Sequence, residues 1–298
     1  MKQFISRHKR WLGYISYCII VTAVLLYYRF PSDALRDYIQ TRANNLNTRA
    51  LLSIEGIKPW PPFGLRFGQT EISLKDKPAI KIFGADSLLV SPEVWSFFRG
   101  KSTYSFECLA YGGDVGGRIH FEENSLAAPF NTEIELKNIR IGTYGYLKDL
   151  IGRDVDGILS GIIYYSGQQK DLIGGTGEAN LKLLDGRVEL LFPILELVSI
   201  DFNEIRIDMV LKKQQVNLTR LELEGSQFKS TLSGSIGLKR DLAKSTLDLR
   251  GKIEPFASFF KNAKGLSNTV RLFKRGLRGG SLSFIIHGTI AEPKIKFT

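Results

Sequence analysis

Cysteine and histidine are scarce in this chain of 298 residues, which contains two Cys and three His. Cys18 lies inside an apolar segment and leaves Cys108 without a partner, which excludes a disulfide framework and a four-cysteine zinc site. His8 lies in a basic N-terminal tail. His120 and His287 each lie in an alternating run, where a lone His is typical of an exposed strand position. We therefore expect no metal site.

Catalytic motifs are also missing. Gly174–Gly177 resembles a phosphate loop only superficially, because no Lys-Ser/Thr pair follows it and we expect it to lie between strands. Asp154 and Asp156 have calcium-like spacing but lack the downstream ligands of a calcium loop. Ser235 lies in a strand pattern without a His partner. The sequence therefore predicts a protein that is not an enzyme, with no catalytic, cofactor-binding or metal-binding residues and no cofactor.

Acidic residues do not occur before Asp33, whereas Lys2, Arg7, Lys9 and Arg10 precede a charge-free segment at 11–28. That segment reads WLGYISYCIIVTAVLLYY, and as a helix its eighteen residues would measure about 27 Å, close to the thickness of a hydrocarbon core. The alternative is a cleaved signal peptide. The bulky exit through Tyr27-Tyr28-Arg29-Phe30 favours an anchor, because it lacks the small residues of a cleavage site.

The four cations before this segment place the N-terminus in the cytoplasm. The sequence thus predicts a cytoplasmic basic tail at 1–10, a transmembrane helix at 11–28 and a periplasmic domain at 29–298. We expect an inner-membrane protein that crosses the membrane once, with most of its chain in the periplasm. The net charge of +11 fits a domain near anionic lipid head groups or an acidic partner. Nucleic acid is the rival partner for a basic chain, and the anchor argues against it.

The pattern after the anchor predicts a short helical neck and then strands. Pro31-Ser32 starts a helix at about 32–46 with apolar residues at helical spacing. From Leu51 onward the period becomes two, as in 133–137, 204–211, 221–224, 232–238, 247–253 and 282–286. Neighbouring runs are close in sequence, so we predict a mainly β fold with one long antiparallel meander.

Only a few helices are predicted within this meander, at 92–99, 143–151 and about 255–277. The last one is basic and rich in Phe, so it either lies on an anionic membrane surface or caps one end of the sheet. Too few helices exist to cover the apolar faces of the strands. The sheet is therefore expected either to fold into a sandwich or to curl into a trough that could hold acyl chains or a partner's apolar segment. Its apolar lining would include Ile134, Leu136, Ile205, Ile207, Leu221 and Leu223.

Four stretches, in this order, resemble the type II secretion system protein N family in its longer, anchored form. They lie at 31–62, where a Pro-led helix runs into LLSIEGIKPWPPFGLRF, at 88–119, at 192–238 and at 287–297, which reads HGTIAEPKIKF. The last two stretches also resemble the AsmA-like superfamily, whose members carry long curled sheets in the periplasm. The first resemblance implies an accessory inner-membrane component of the type II secretion machinery, with other secretion components as partners and no catalytic residues. The second implies a periplasmic protein that binds or transfers lipid.

Overall fold

The computed structural model describes residues 2–46, 50–123, 125, 128–194, 197–257, 259 and 280–298. Strands make up most of these residues and helices are few, so the predicted mainly β class is confirmed. The helices are α1 (Lys2–Tyr28), α2 (Ser32–Leu46), α3 (Val94–Phe97) and α4 (Gly145–Ile151), with 3-10 turns at Ile141–Thr143 and Leu242–Lys244. The helix α2 spans the same residues as the predicted neck.

The strands follow α2 along the chain. The first nine are β1 (Ala50–Ile54), β2 (Ile57–Trp60), β3 (Gly64–Phe67), β4 (Thr70–Leu74), β5 (Lys81–Ala85), β6 (Ser87–Pro92), β7 (Ser102–Ala110), β8 (Gly113–Phe121) and β9 (Phe130–Arg140). The others are β10 (Val155–Gln168), β11 (Asp171–Ile194), β12 (Leu197–Lys212), β13 (Gln215–Gly225), β14 (Phe228–Gly237), β15 (Thr246–Pro255), β16 (Leu282–Thr289) and β17 (Pro293–Phe297).

These strands form two antiparallel sheets. Over the described residues, the large sheet has fourteen strands in the order β17-β16-β15-β14-β13-β12-β11-β10-β9-β8-β7-β6-β3-β2, and the small sheet has the order β1-β4-β5. From β6 to β17 each strand pairs with the next one along the chain, which confirms the predicted meander. The bend between the sheets lies at Gly56 and Gly68, whose backbones are joined by a 2.8 Å hydrogen bond.

The strands have one polar and one apolar face, because successive side chains point to opposite sides. In β9, exposed Glu133 and Glu135 alternate with half-buried Ile134 and Leu136. Three clusters of buried apolar residues lie on neighbouring elements. One joins α2 to β1–β3, one joins β5 to β7, and one lies on β11 and β12. Within the described residues the apolar clusters are therefore local, and the small sheet and α2 cover one end of the large sheet.

The predicted curl of the sheet is not found. Over the described residues, the large sheet is open and has β2 and β17 as free edges. The sandwich is not found either, because each described apolar cluster joins adjacent elements rather than two halves of the large sheet. The expectation of a trough or a sandwich assumed that the apolar faces of the strands must be covered, because too few helices cover them. Instead, the apolar side chains of β9–β13 remain largely half-buried.

The predicted transmembrane helix is not confirmed. None of the helices in the described part of the chain combines the length and the apolar character that a bilayer crossing requires. The segment at 11–28 is helical and belongs to α1. The basic helix predicted at about 255–277 lies almost entirely outside the described residues.

Candidate interaction surfaces

The polar residues singled out in the sequence lie at separate places along the large sheet. In the part of the chain that the structure describes, no group of three or more His, Cys, Asp or Glu side chains could hold a metal ion. His120 lies on β8, where its Nδ1 is 2.8 Å from the Thr103 hydroxyl, and His287 lies on β16. Asp156 lies in β10 at a register shift of the strand, and its side chain accepts a 2.8 Å hydrogen bond from the amide of Gly157. Asp154 instead forms an ion pair of 2.8 Å with Lys148.

The position of Gly174–Gly177 in the fold differs from the expectation. These residues lie within β11 rather than between strands, and Gly177 pairs with Tyr165 of β10. The Tyr165 hydroxyl donates a 2.7 Å hydrogen bond to the Leu172 carbonyl and lies where a Cβ on Gly175 would sit. The glycines therefore make room for a tyrosine of the neighbouring strand.

Cys108 is buried, with 5% of its surface exposed, in a cluster with Ala85 and Ala110. Burial, together with the charge of Asp86, raises the pKa of its thiol to about 11. The thiolate is the reactive form, so a thiol with this pKa is inert near neutral pH. Cys108 therefore contributes to packing between the small and large sheets.

On the polar face of the large sheet, charged side chains that are open to solvent form ion pairs across β11–β13. Glu204 contacts Arg206 and lies 3.2 Å from Lys182, and hydrogen bonds from both cations lower the pKa of its carboxyl. Arg220 lies 2.7 Å from Glu222 and lowers the pKa of that carboxyl by a hydrogen bond. Exposed pairs of this kind contribute little stability. The charged side chains of this face are therefore solvated.

Two open clefts lie mainly along this polar face. One of about 770 Å³ spans β6–β9, and one of about 620 Å³ spans β8–β12. The first is lined by residues that include the cations Arg66, Arg118 and Lys137 and the anions Glu107, Asp114, Glu133 and Glu135. Because the two signs nearly balance, the cleft does not select a ligand of one charge.

The apolar face is the other extended surface of the large sheet. Strand register pairs Ile205 with Leu223 and Ile207 with Leu221, and all four pack together. On β9, Ile134 pairs with Ile163 of β10. Ile134 and Leu136 share this face with the other predicted lining residues, which are Ile205, Ile207, Leu221 and Leu223. The structure thus brings together the side chains expected to line a trough, but on an open sheet.

The edges of the large sheet are protected against pairing with another chain. The edge strand β2 contains Pro59, which has no amide hydrogen to donate. The opposite edge strand, β17, is short and carries Lys294 and Lys296. Proline and lysine at an edge are common devices that prevent sheets from joining. A partner is therefore expected on a face or at an end of the sheet rather than along an edge.

Comparison of this chain with protein-family models, with curated proteins and with solved structures finds no match.

Proposed function

We propose that this protein is a non-catalytic interaction component of a bacterial envelope assembly, anchored in the inner membrane by α1. The type II secretion apparatus is its expected setting, through the resemblance of the four stretches described above. The observation that carries the proposal is the apolar face of β9–β13, which is only partly covered over the described residues. Its centre at Leu183, Phe202 and Ile205 is buried, whereas Ile134, Leu136 and Ile207 stay half-buried. A continuous apolar face that stays partly exposed is typical of binding sites. We expect a component of the secretion machinery to bind this face through an apolar segment.

A lipid-binding role is the second candidate, and the same face favours it. An acyl chain is as apolar as the side chains of Ile134, Leu136 and Ile207, and it needs no hydrogen-bonding partners. The two candidates differ in the molecule that contacts this face, so identification of that molecule separates them.

Site-specific photocrosslinking tests the proposal in intact bacterial cells. A photoreactive amino acid replaces either Leu136 or Ile207 on the apolar face, and matched probes replace Glu135 and Arg206 on the polar face. We expect the apolar-face probes to form adducts with proteins of the secretion machinery, identified by mass spectrometry, and the polar-face probes not to do so. Lipid adducts alone would favour the second candidate. Crosslinks confined to the same chain would contradict both.

The location of the chain is a separate part of the proposal. Lys2, Arg7, Lys9 and Arg10 precede the apolar segment of α1, and this arrangement retains an N-terminus in the cytoplasm. In cells with a permeabilised outer membrane, added protease should digest the chain after Phe30, whereas a cytoplasmic control protein stays intact. Full protection of the chain after Phe30 would contradict the proposed orientation.

A further inference from the structure

Three large aromatic side chains project into solvent at one end of the large sheet. Phe63 is 65% exposed, and Trp95 and Phe98 are each 80% exposed. The rings of Trp95 and Phe98 lie 6.0 Å apart and contact each other. Aromatic residues bury large areas when they have a partner, so rings left this open on separate segments mark a contact surface. We call Phe63, Trp95 and Phe98 the aromatic tip.

The strand register explains why these residues share one end of the sheet. Phe63 lies in the turn between β2 and β3, and Leu65 of β3 pairs with Val90 of β6. The helix α3, which contains Trp95, follows β6 almost directly. The β2–β3 turn and α3 therefore project from the same ends of paired strands.

The end of the helix α1 is connected to the hairpin that carries Phe63. The side chains of Gln40 and Asn44 in α2 donate hydrogen bonds to the carbonyls of Ile54 and Leu52, so α2 runs antiparallel to β1. Toward its N-terminus α2 runs past Ile54 in the direction of β2, which it also contacts. Phe30, which precedes α2, packs against the cluster of Ile54, Ile57 and Phe67. The helix α1 therefore ends near the β2–β3 hairpin, whose turn contains Phe63.

Charges of both signs lie at this end of the sheet, where the exposed acids Glu122 and Glu123 follow Phe121, the register partner of Ser102, and the cations lie closest to α3 in the chain. Arg99 and Lys101 follow α3 directly and are exposed, and Arg29 is exposed at the end of α1. Glu93, the acid next to α3, lies 3.8 Å from Arg118. Aromatic rings concentrate at the interface of a bilayer, and exposed cations are attracted to anionic lipid head groups. The tip therefore matches an anionic membrane surface in both its apolar and its charged residues.

We infer that the aromatic tip, with Arg99 and Lys101, is a membrane-contact site that inserts into the anionic interface beside α1. It gives the chain a second attachment to the same membrane and fixes the orientation of the sheet relative to the bilayer. This inference rests on the proposed membrane location of the protein, and it adds a site that the anchor by itself does not require.

Tryptophan quenching in the full-length protein tests the inference. The three tryptophans are Trp11, Trp60 and Trp95. With Trp11→Phe and Trp60→Phe, the chain keeps Trp95 alone. The control carries Trp95→Phe as well, and Val198→Trp at an exposed apolar position at the opposite end of the strands. Each protein is reconstituted into vesicles of phosphatidylethanolamine and phosphatidylglycerol whose acyl chains are brominated near the head group.

We expect emission from Trp95 to shift to shorter wavelength and to lose most of its intensity in brominated vesicles, and emission from the tryptophan at 198 to change little. In the chain that keeps Trp95, Arg99→Gln with Lys101→Gln should restore much of the lost intensity. Circular dichroism checks that these variants keep the same strand content as the unaltered chain.

Flotation of the vesicles reports membrane attachment separately. A chain that floats with the vesicles while Trp95 stays unquenched overturns the membrane-contact site and leaves the anchor in place. A chain that does not float contradicts the anchor, and unquenched Trp95 in that chain also overturns the contact site.

Discussion

Ile205→Asp is expected to abolish stable folding. Ile205 lies in the middle of β12 with 6% of its surface exposed, in a cluster with Leu183 and Phe202. Its neighbours by strand register are Leu183 on β11 and Leu223 on β13, which are both apolar. An aspartate here either buries an unpaired carboxylate or takes up a proton to avoid doing so. Either outcome should destabilise the protein by about 4 kcal/mol or more.

The matched control for this change is Arg206→Gln. Arg206 is the next residue along β12, and it lies on the polar face in contact with Glu204. Glutamine keeps a polar side chain of similar length, so we expect little change in stability. The reversed charge, Arg206→Asp, is a poorer control because it puts another carboxylate beside Glu204 and Glu222.

The measurement is urea unfolding of the detergent-solubilised protein, followed by circular dichroism, together with the amount of protein that accumulates in cells. Equal losses for Ile205→Asp and Arg206→Gln would show that the two side chains do not occupy opposite faces.

Face assignments of this kind could be made from the sequence, because they depend only on alternation within one strand. Period alone places Glu133 and Ile134 on opposite faces, and likewise Arg206 and Ile207, and the structure confirms these assignments. The meander was also predictable, since short connections between alternating runs favour antiparallel neighbours. Local pattern was sufficient for both features.

The division into two sheets could not be predicted in the same way. β1 and β2 are separated by only Glu55 and Gly56, yet they belong to different sheets. The bend depends on how Gly56 and Gly68 pair across the hairpin and on how α2 packs over it. The curl of the sheet likewise depends on twist and coverage summed over many strands. Neither the bend nor the curl can be derived from a single stretch of sequence.

Two residues of the aromatic tip, Trp95 and Phe98, lie in the helix predicted at 92–99, whereas Phe63 lies outside any predicted helix. The pattern at 92–99 predicts a short helix but does not by itself give the exposure of its rings. Trp95, Phe97 and Phe98 are too closely spaced for all three to share one narrow face of a helix. This spacing indicates that at least one of the three rings projects away from the sheet.

Gly186→Val is the second change with a large expected effect. Gly186 of β11 pairs directly with Phe202 of β12, which is fully packed in the apolar cluster. A Cβ at position 186 would overlap both the backbone carbonyl oxygen of Asp156 and the ring of Phe202. Gly117 with Phe106 and Gly251 with Phe284 repeat the arrangement, in which a glycine makes room for the ring of its cross-strand partner.

Valine has a high intrinsic preference for strands, so propensity alone would predict that Gly186→Val stabilises β11. The steric overlap acts in the opposite direction. The carbonyl of Asp156 belongs to the neighbouring strand β10 and cannot rotate away as a side chain could. We therefore expect a loss of about 3 kcal/mol in the free energy of unfolding, at the upper end of the usual cost of overpacking.

Three further variants identify the cause of that loss. Phe202→Leu combined with Gly186→Val removes the ring but leaves the carbonyl. Measured against Phe202→Leu alone, the valine should therefore still cost part of the stability that it costs in the presence of Phe202. Gly145→Ala is the control for a glycine with open space around it, since no atom lies within 4 Å of its added Cβ. Alanine at the start of α4 should leave stability unchanged or slightly raise it. Urea unfolding of all five proteins measures these differences, and a valine at 186 as stable as glycine would show that β11 and β12 do not pair in this register.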